Sequence, residues 1–372
     1  MPAMRPVTRF PLMVLGMVAL LTGMWAGLLR LGWDWPTPRP TFGLVHGPLM
    51  ISGFIGTLIG LERAVALRRR WAYAAPLLTA LGAVALLAGA PHWVAPLLIT
   101  GASAVLVGVF AVVIWQQTAL FTLTMGLGAV AWFVGNGIWL GGGEIPAAVS
   151  WWLGFLVLTI AGERLELSRM RQLTRRSEWT FLAVVGVLLL GFALGGIAVD
   201  AGARITGVGL LALTMWLGRH DIARRTVHQT GLPRFTAICL LSGYLWLGIG
   251  GILAIAYGSV IAGPHYDAVL HAVLLGFVFA MIFGHAPIIF PAVLGLPVPF
   301  RPIFYAHLAL LHLSVALRLL GDALAVVPLR QWGGLLNAVT ILFFLVNTVR
   351  SVVVQRRATR TVHARSATLA RA

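Results

Sequence analysis

Residues 267–291 read D-A-V-L-H-A-V-L-L-G-F-V-F-A-M-I-F-G-H-A-P-I-I-F-P, and a second apolar run contains Y-A-H-L-A-L-L-H at residues 305–312. Each run is long enough to cross the hydrocarbon core of a bilayer, which takes roughly 20 apolar residues. Within these two runs lie four histidines, namely His271, His285, His307 and His312. An ionisable side chain is costly inside a membrane and is usually kept there for function. The stretch therefore predicts a membrane protein whose site is built on buried histidines.

The rest of the chain has the same character. Of its 372 residues, 59% are hydrophobic and only 10% are charged, and the mean hydropathy is +0.94. These values lie outside the range of soluble domains. At roughly 20 residues per span, the apolar runs predict about twelve helices joined by short connections. We therefore predict an all-α membrane protein with a single polytopic domain over residues 1–372, ending in a short cytoplasmic tail from about 354.

The arginines indicate orientation and restrict the class of partner. The 27 basic residues are all Arg and face 10 acids, which gives a formal charge of +17. Such a charge can attract nucleic acid. With helices alternating from an inside N-terminus, however, only five arginines fall on the outer side: Arg30, Arg39, Arg204, Arg318 and Arg330. This bias follows the positive-inside rule, so we expect a multi-pass protein of a cytoplasmic membrane with both termini cytoplasmic, the lipid bilayer as partner and no nucleic acid.

A repeat is visible at the ends of two predicted helices. L-I-G-L-E-R-A-V-A-L-R-R-R at the end of the second helix resembles T-I-A-G-E-R-L-E-L-S-R-M-R at the end of the sixth. Glu62 and Arg63 are thus echoed by Glu163 and Arg164, and His285 takes the third corresponding position in the tenth helix. Internal repeats reveal architecture. Helices two, six and ten are therefore predicted to be equivalent, which implies three four-helix units.

Two histidines are predicted to lie at the same depth on different helices. His46 lies about four residues into the second helix and His271 about four residues into the tenth, which places both roughly 6 Å below the outer interface. Two imidazoles at matched depth can ligate one haem iron. Arg39, Arg204 and Arg330 are then the outer cations available for the haem propionates. The alternative is a pair of interfacial histidines that bond to loop carbonyls.

A second group is predicted near the inner interface. His285 follows His271 by 14 residues, which in an α-helix returns to within about 40° of the same face. His307, Glu62 and Glu163 lie at a depth similar to that of His285. Imidazole together with carboxylate suits copper, iron or zinc, so an inner metal site is one interpretation of this group.

Structural roles compete with that interpretation. Glu62 with Arg164 and Glu163 with Arg63 can form ion pairs between the repeated helices, and His285 can bond to either carboxylate. His312 is rotated by about 140° from the histidine five residues before it, so we expect it to make a separate buried hydrogen bond. Because Cys239 is the only cysteine, a disulfide or a thiolate cluster within one chain is excluded.

These residues resemble the NnrS family of bacterial membrane proteins, which is associated with the response to nitric oxide. Four segments carry the resemblance: V-H-G-P-L-M-I-S-G-F-I-G-T-L-I-G around His46, R-R-R-W-A-Y-A-A-P-L after it, H-A-V-L-L-G-F-V-F-A-M-I-F-G-H from His271, and R-P-I-F-Y-A-H-L-A-L-L-H-L-S-V-A-L-R-L from Arg301. The resemblance implies twelve helices, haem b and copper, and protection from nitrosative stress. Members of the family usually show H-A-H-E-M where this chain has V-H-G-P-L-M, so only a single axial ligand is expected from the second helix.

The chain is also similar, more distantly, to the haem-copper oxidase catalytic subunit. That subunit has twelve helices in three four-helix arcs, and histidines on its helices two and ten hold a low-spin haem. His46 and His271 stand at the matching places. Helices six and seven contain no histidine here, and the tenth helix lacks a second histidine two residues from the first. The similarity therefore implies haem binding without oxygen reduction by the oxidase mechanism.

Taken together, these features predict a haem protein that handles nitric oxide or electrons at the outer face, with quinol or a periplasmic electron carrier as a partner. Whether it is an enzyme is left open. One alternative is a twelve-helix secondary transporter, although such proteins are often built from six-helix halves. Another is a quinol-oxidising membrane cytochrome.

Overall fold

The computed structural model describes residues 6–168 and 173–369, with side chains described for residues 9–168 and 173–355. Within these ranges twelve helices are long and apolar enough to cross a membrane, and there is no strand. In chain order they are α1 (Arg9–Arg30), α2 (Phe42–Leu67), α3 (Arg70–Ala88), α4 (Val94–Gln116), α5 (Leu120–Leu140), α6 (Ile145–Ser168), α7 (Arg175–Leu194), α8 (Val199–His220), α9 (Gly231–Tyr257), α10 (Gly263–Leu294), α11 (Phe304–Ala323) and α12 (Val327–Gln355). The chain is therefore an all-α, multi-pass membrane protein, as predicted.

The helix ends follow from local sequence, with some differences from the predicted bounds. Gly89 and Gly295 end α3 and α10 in the left-handed conformation, with φ of 71° and 66°, which glycine adopts without steric cost. The helical backbone of α12 continues to Leu369, beyond the start of the predicted tail. α10 begins at Gly263 instead of near Asp267, because its first turn is polar and hydropathy does not detect it.

Three helices occupy the middle of the bundle. We compared the buried share of the most apolar 18-residue stretch in each helix. This share is 72% in α2, 72% in α6 and 67% in α10, and it is at most 56% in any other helix. α10 packs against both α2 and α6. These are the three helices that the repeat predicts to be equivalent. The burial pattern therefore agrees with three four-helix units whose second helices meet at the centre.

An ion pair joins two of these central helices. Arg63 on α2 donates to the Glu163 carboxylate on α6, and its guanidinium also lies 3.5 Å from Glu62. The pair of Arg63 with Glu163 is therefore confirmed. The reciprocal pair of Glu62 with Arg164 is not formed, because Arg164 is bound by a different carboxylate.

That carboxylate belongs to Asp221, which is fully buried in the connection between α8 and α9. Arg164 donates to both of its oxygens at 2.7 and 2.9 Å. The Tyr244 hydroxyl and the Ala223 amide donate to it at 2.7 and 2.6 Å. Burial alone would raise the pKa of Asp221, but these donors hold it below its usual value. The cluster ties α6 to α8 and α9.

Replacing Asp221 with Asn is expected to destabilise the protein strongly. The substitution leaves the Arg164 guanidinium, whose side chain is 3% exposed, without its counter-charge. Breaking a buried ion pair in this way costs about 3–5 kcal/mol. The measurement is the midpoint of thermal unfolding of the purified protein in detergent.

Asp200→Asn is the matched control, because Asp200 pairs with Arg204 on the exposed surface, where ion pairs contribute little. We expect a clear fall of the midpoint for Asp221→Asn and little change for the control. Equal midpoints for the two variants would contradict the structural role of the cluster.

Candidate functional site

His46 and His271 each lie beside an irregular helical segment. α2 opens with a 3-10 turn over Phe42–Val45 and becomes a π-helix over Leu49–Gly56, shortly after His46. α10 becomes a π-helix over Ala272–Phe279, directly after His271. π-helical turns are rare and occur frequently at functional sites. The sequence pattern gave no signal for either segment, because both are as apolar as an ordinary membrane span.

The structure brings the imidazoles of His46 and His271 close to each other in nearly parallel planes. Their ring centroids lie 6.1 Å apart, with 15° between the ring planes. This separation is too large for contact between the rings. A metal ion bound between two imidazole nitrogens places the centroids about 6.4 Å apart, given metal–nitrogen distances of about 2.0 Å. The observed gap is thus close to the size that one shared metal ion requires.

Hydrogen bonds fix which nitrogen of each ring is free. Nδ1 of His46 lies 2.7 Å from the Gly23 carbonyl on α1, and Nδ1 of His271 lies 2.9 Å from the Asp267 carbonyl. Because a carbonyl oxygen only accepts, each Nδ1 must carry the proton and donate it. Nε2 of each ring therefore keeps its lone pair and is available as a ligand. Metal-binding histidines are commonly oriented by such a bond from the other ring nitrogen.

Small residues on α1 make the bond to His46 geometrically possible. A Cβ atom on Gly27 would lie 2.8 Å from two atoms of the His46 ring, and one on Gly23 would lie 2.9 Å from Met50 Sδ. Real Cβ atoms do not approach so closely, so larger residues at either position would push α1 and α2 apart. By contrast, a Cβ on Gly47 would meet nothing within 4 Å.

The two histidines line a cavity of about 650 Å³, which is within the usual range for small-molecule sites. Its walls are largely apolar and include Ile51, Leu274 and Phe279. A largely apolar cavity of this size, with two imidazoles in its wall, has room for a flat macrocycle with a central metal.

Three arginines line the same cavity: Arg30, Arg318 and Arg330. Arg318 donates two bonds to the Asp267 carboxylate, at 2.9 and 3.0 Å, and Arg330 lies 2.7 Å from Asp322. Arg30 makes no hydrogen bond or ion pair within the described residues. The cavity therefore carries one cation free for an anionic group and two that are already paired.

Of the cations predicted from depth, only Arg330 lies at the cavity. Arg39 donates to the carbonyls of Leu86 and Leu87 at the end of α3. Arg204 pairs with Asp200 on the surface of α8. Depth alone does not determine the direction in which a side chain points from its helix, so Arg30 and Arg318 were missed.

The predicted inner group does not come together around a metal. His285 Nε2 lies 3.4 Å from the Arg164 guanidinium, whereas Glu163 is held by Arg63. In the described part of the chain no group of three or more His, Cys, Asp or Glu side chains is placed to bind a metal ion. The residues at the inner end therefore do not fit a copper site.

His307 lies in an aromatic surround instead. The ring is fully buried and has four neighbouring rings whose centroids lie 4.9–6.0 Å away: Phe235, Phe283, Phe304 and Phe344. Asn347 Nδ2 lies 3.3 Å from its Nδ1. His307 is thus enclosed by phenylalanine rings, and its hydrogen bond is to Asn347 and not to a carboxylate.

His312 makes the separate buried hydrogen bonds that were predicted. It accepts from Trp246 Nε1 at 2.9 Å, and its Nε2 lies 2.9 Å from the Ser242 hydroxyl. Both ring nitrogens are used within the protein. His312 is therefore a packing residue between α9 and α11.

Comparison with known proteins adds a family but no activity. A family described as Domain of unknown function (DUF8744) matches residues 9–353, a range that contains both His46 and His271. A comparison with curated proteins gives no significant match. Because the match extends over nearly the whole chain, the protein belongs to the family described as Domain of unknown function (DUF8744).

Proposed function

We propose that the protein binds haem b between His46 and His271 and transfers electrons at the outer side of a bacterial cytoplasmic membrane. The observation that carries the proposal is the pair of neighbouring imidazoles, whose ring centroids lie 6.1 Å apart and whose Nε2 atoms have no hydrogen-bond partner in the described residues. The volume and apolar walls of the cavity support it. A role in the nitric oxide response rests on the resemblance to NnrS.

The residues around the cavity have distinct tasks in this proposal. His46 and His271 would hold the iron, and the carbonyls of Gly23 and Asp267 keep both rings in the tautomer that can ligate it. Arg30 would be the cation for a propionate, whereas Arg330, at the same cavity, is already paired with Asp322. When bound, haem supplies an iron that takes up and gives back one electron. If both histidines ligated the iron, the site would favour electron transfer over direct binding of a gas.

The electron donor is proposed to be a quinol or a periplasmic electron carrier. The cavity lies at the end of the bundle that holds few arginines, which the positive-inside rule places outside the cell. In the same proposal both termini are cytoplasmic. A quinol-oxidising cytochrome is thus one form of this function, and reduction of the haem band by quinol tests it.

Alanine at either histidine is expected to abolish haem binding. Purified wild-type protein from haem-replete cells should show a Soret band, and His46→Ala and His271→Ala should retain less than about a tenth of it, because each loses an axial ligand. His92→Ala is the control, since His92 is an exposed loop residue. The measurement is the visible spectrum, with and without dithionite.

A folding control separates ligand loss from misfolding. His46→Gly leaves a hole that free imidazole can fill, so added imidazole should restore the Soret band. Folded wild-type protein without haem would refute the proposal, and substrate uptake by such haem-free protein in vesicles would favour a transporter. An unchanged spectrum in both alanine variants would refute the assignment of the ligands.

Gly27→Ala is expected to weaken haem binding by roughly tenfold, because its Cβ would collide with the His46 ring and displace Nε2 from the iron. Gly47→Ala is the matched control at the same cavity, where a Cβ meets nothing within 4 Å. Haem affinity can be measured by titrating haem into the apoprotein. Equal affinities for the two variants would show that the bond from α1 does not position His46.

A further inference from the structure

A second pocket lies at the opposite end of the bundle from His46 and His271. It has a volume of about 390 Å³ and is formed where the start of α11 meets the end of α12. Arg301, Pro302 and Ile303 line it from the first segment, and Asn347 and Arg350 from the second. The pocket is on the face that carries most of the arginines.

Two unpaired positive charges face this pocket. Neither Arg301 nor Arg350 makes a hydrogen bond or an ion pair within the described residues. The N-terminus of α11, a helix of 20 residues, begins directly after Ile303 and adds a partial positive charge. Guanidinium groups that share a pocket repel one another unless an anion lies between them. The arrangement therefore has the electrostatics of an anion site.

A buried polar side chain lines the pocket, and hydrogen bonds hold this part of the structure in place. Asn347 is only 6% exposed, and its amide nitrogen is anchored on His307 Nδ1. One turn further along α12, the Ser351 hydroxyl donates to the Pro299 carbonyl at 2.6 Å. This bond fixes the segment that carries Arg301 against α12. Arg301 and Arg350 thus lie on two segments that a hydrogen bond holds together.

Exposed apolar side chains on the two segments that form the pocket indicate what kind of anion it takes. Ile303 is 47% exposed, and Val346 and Val349, which flank Asn347 on α12, are 62% and 61% exposed. In a membrane these side chains lie against lipid chains. A phosphate group held by the arginines would therefore have its acyl chains along an apolar surface.

We propose that this pocket binds the phosphate headgroup of an anionic phospholipid. Guanidinium groups bind phosphate oxygens with paired hydrogen bonds, and basic pockets between membrane helices are known sites for anionic headgroups. The bound lipid bridges the connection between α10 and α11 to the end of α12. This site is independent of the proposed haem site.

The test compares two variants that lose the same charge. Arg301→Gln with Arg350→Gln removes both pocket arginines, and Arg69→Gln with Arg70→Gln removes two exposed arginines from the same face. The full chain in detergent is titrated with phosphatidylglycerol, phosphatidylcholine or inorganic phosphate, and bound lipid is counted by native mass spectrometry. Arg301→Lys with Arg350→Lys is a third variant that keeps the charge.

We expect phosphatidylglycerol to bind the wild type and to bind the pocket variant roughly 30-fold more weakly, because two arginine contacts are lost. The control pair should stay within about twofold, and the lysine variant should lie between. Equal weakening in the pocket and control variants would overturn the proposal. Equal binding of phosphatidylcholine, or displacement of the lipid by inorganic phosphate at the same concentration, would overturn it too.

Discussion

The bond from His46 Nδ1 to the Gly23 carbonyl sets the geometry on which the rest of the site depends. In a membrane interior a polar ring without a partner is costly, and here the partner belongs to a different helix. The bond exists only if α1 comes close to α2, which the absence of side chains at Gly23 and Gly27 allows. The same closeness holds the His46 ring at the cavity that His271 also lines. One hydrogen bond thus connects helix packing to the orientation of the His46 ring.

The two ends of the bundle use arginine for different purposes. At the arginine-rich end, Arg164 is saturated by the buried carboxylate of Asp221, so the guanidinium acts as a cross-link between helices. At the histidine end, Arg318 and Asp267 neutralise each other, whereas Arg30 has no partner among the described residues. A charge left without a partner at a cavity is available for a ligand, and a fully bonded one is available only for stability. An arginine that can bind a ligand therefore differs from a structural arginine in whether a carboxylate of the protein already neutralises it.

The sequence predicts features that the bilayer and helix geometry determine, but not those that side-chain packing determines. Twelve spans were predictable because the bilayer fixes the length of an apolar run, and the proximity of His46 to His271 followed from their matched positions along two helices. The direction in which a side chain points is set by packing, so the sequence wrongly assigned Arg39 and Arg204 to the cavity. The pair of Arg63 with Glu163 could be inferred from the repeat. Asp221 could not, because it lies in a loop with no repeat partner.

The π-helical segment of α10 explains why α-helical periodicity gave the wrong relative direction for His271 and His285. With 14 residues between them, His271 and His285 would point to nearly the same side of an ideal α-helix. Residues Ala272–Phe279 form a π-helix between them, and a π-helix has more residues per turn, so each residue advances by a smaller angle. The accumulated difference turns the far end of α10. As a result His271 faces α2 and the cavity, whereas His285 faces Arg164 on α6. The irregular segment therefore lets one helix place a histidine at the cavity with one end and join a structural network with the other.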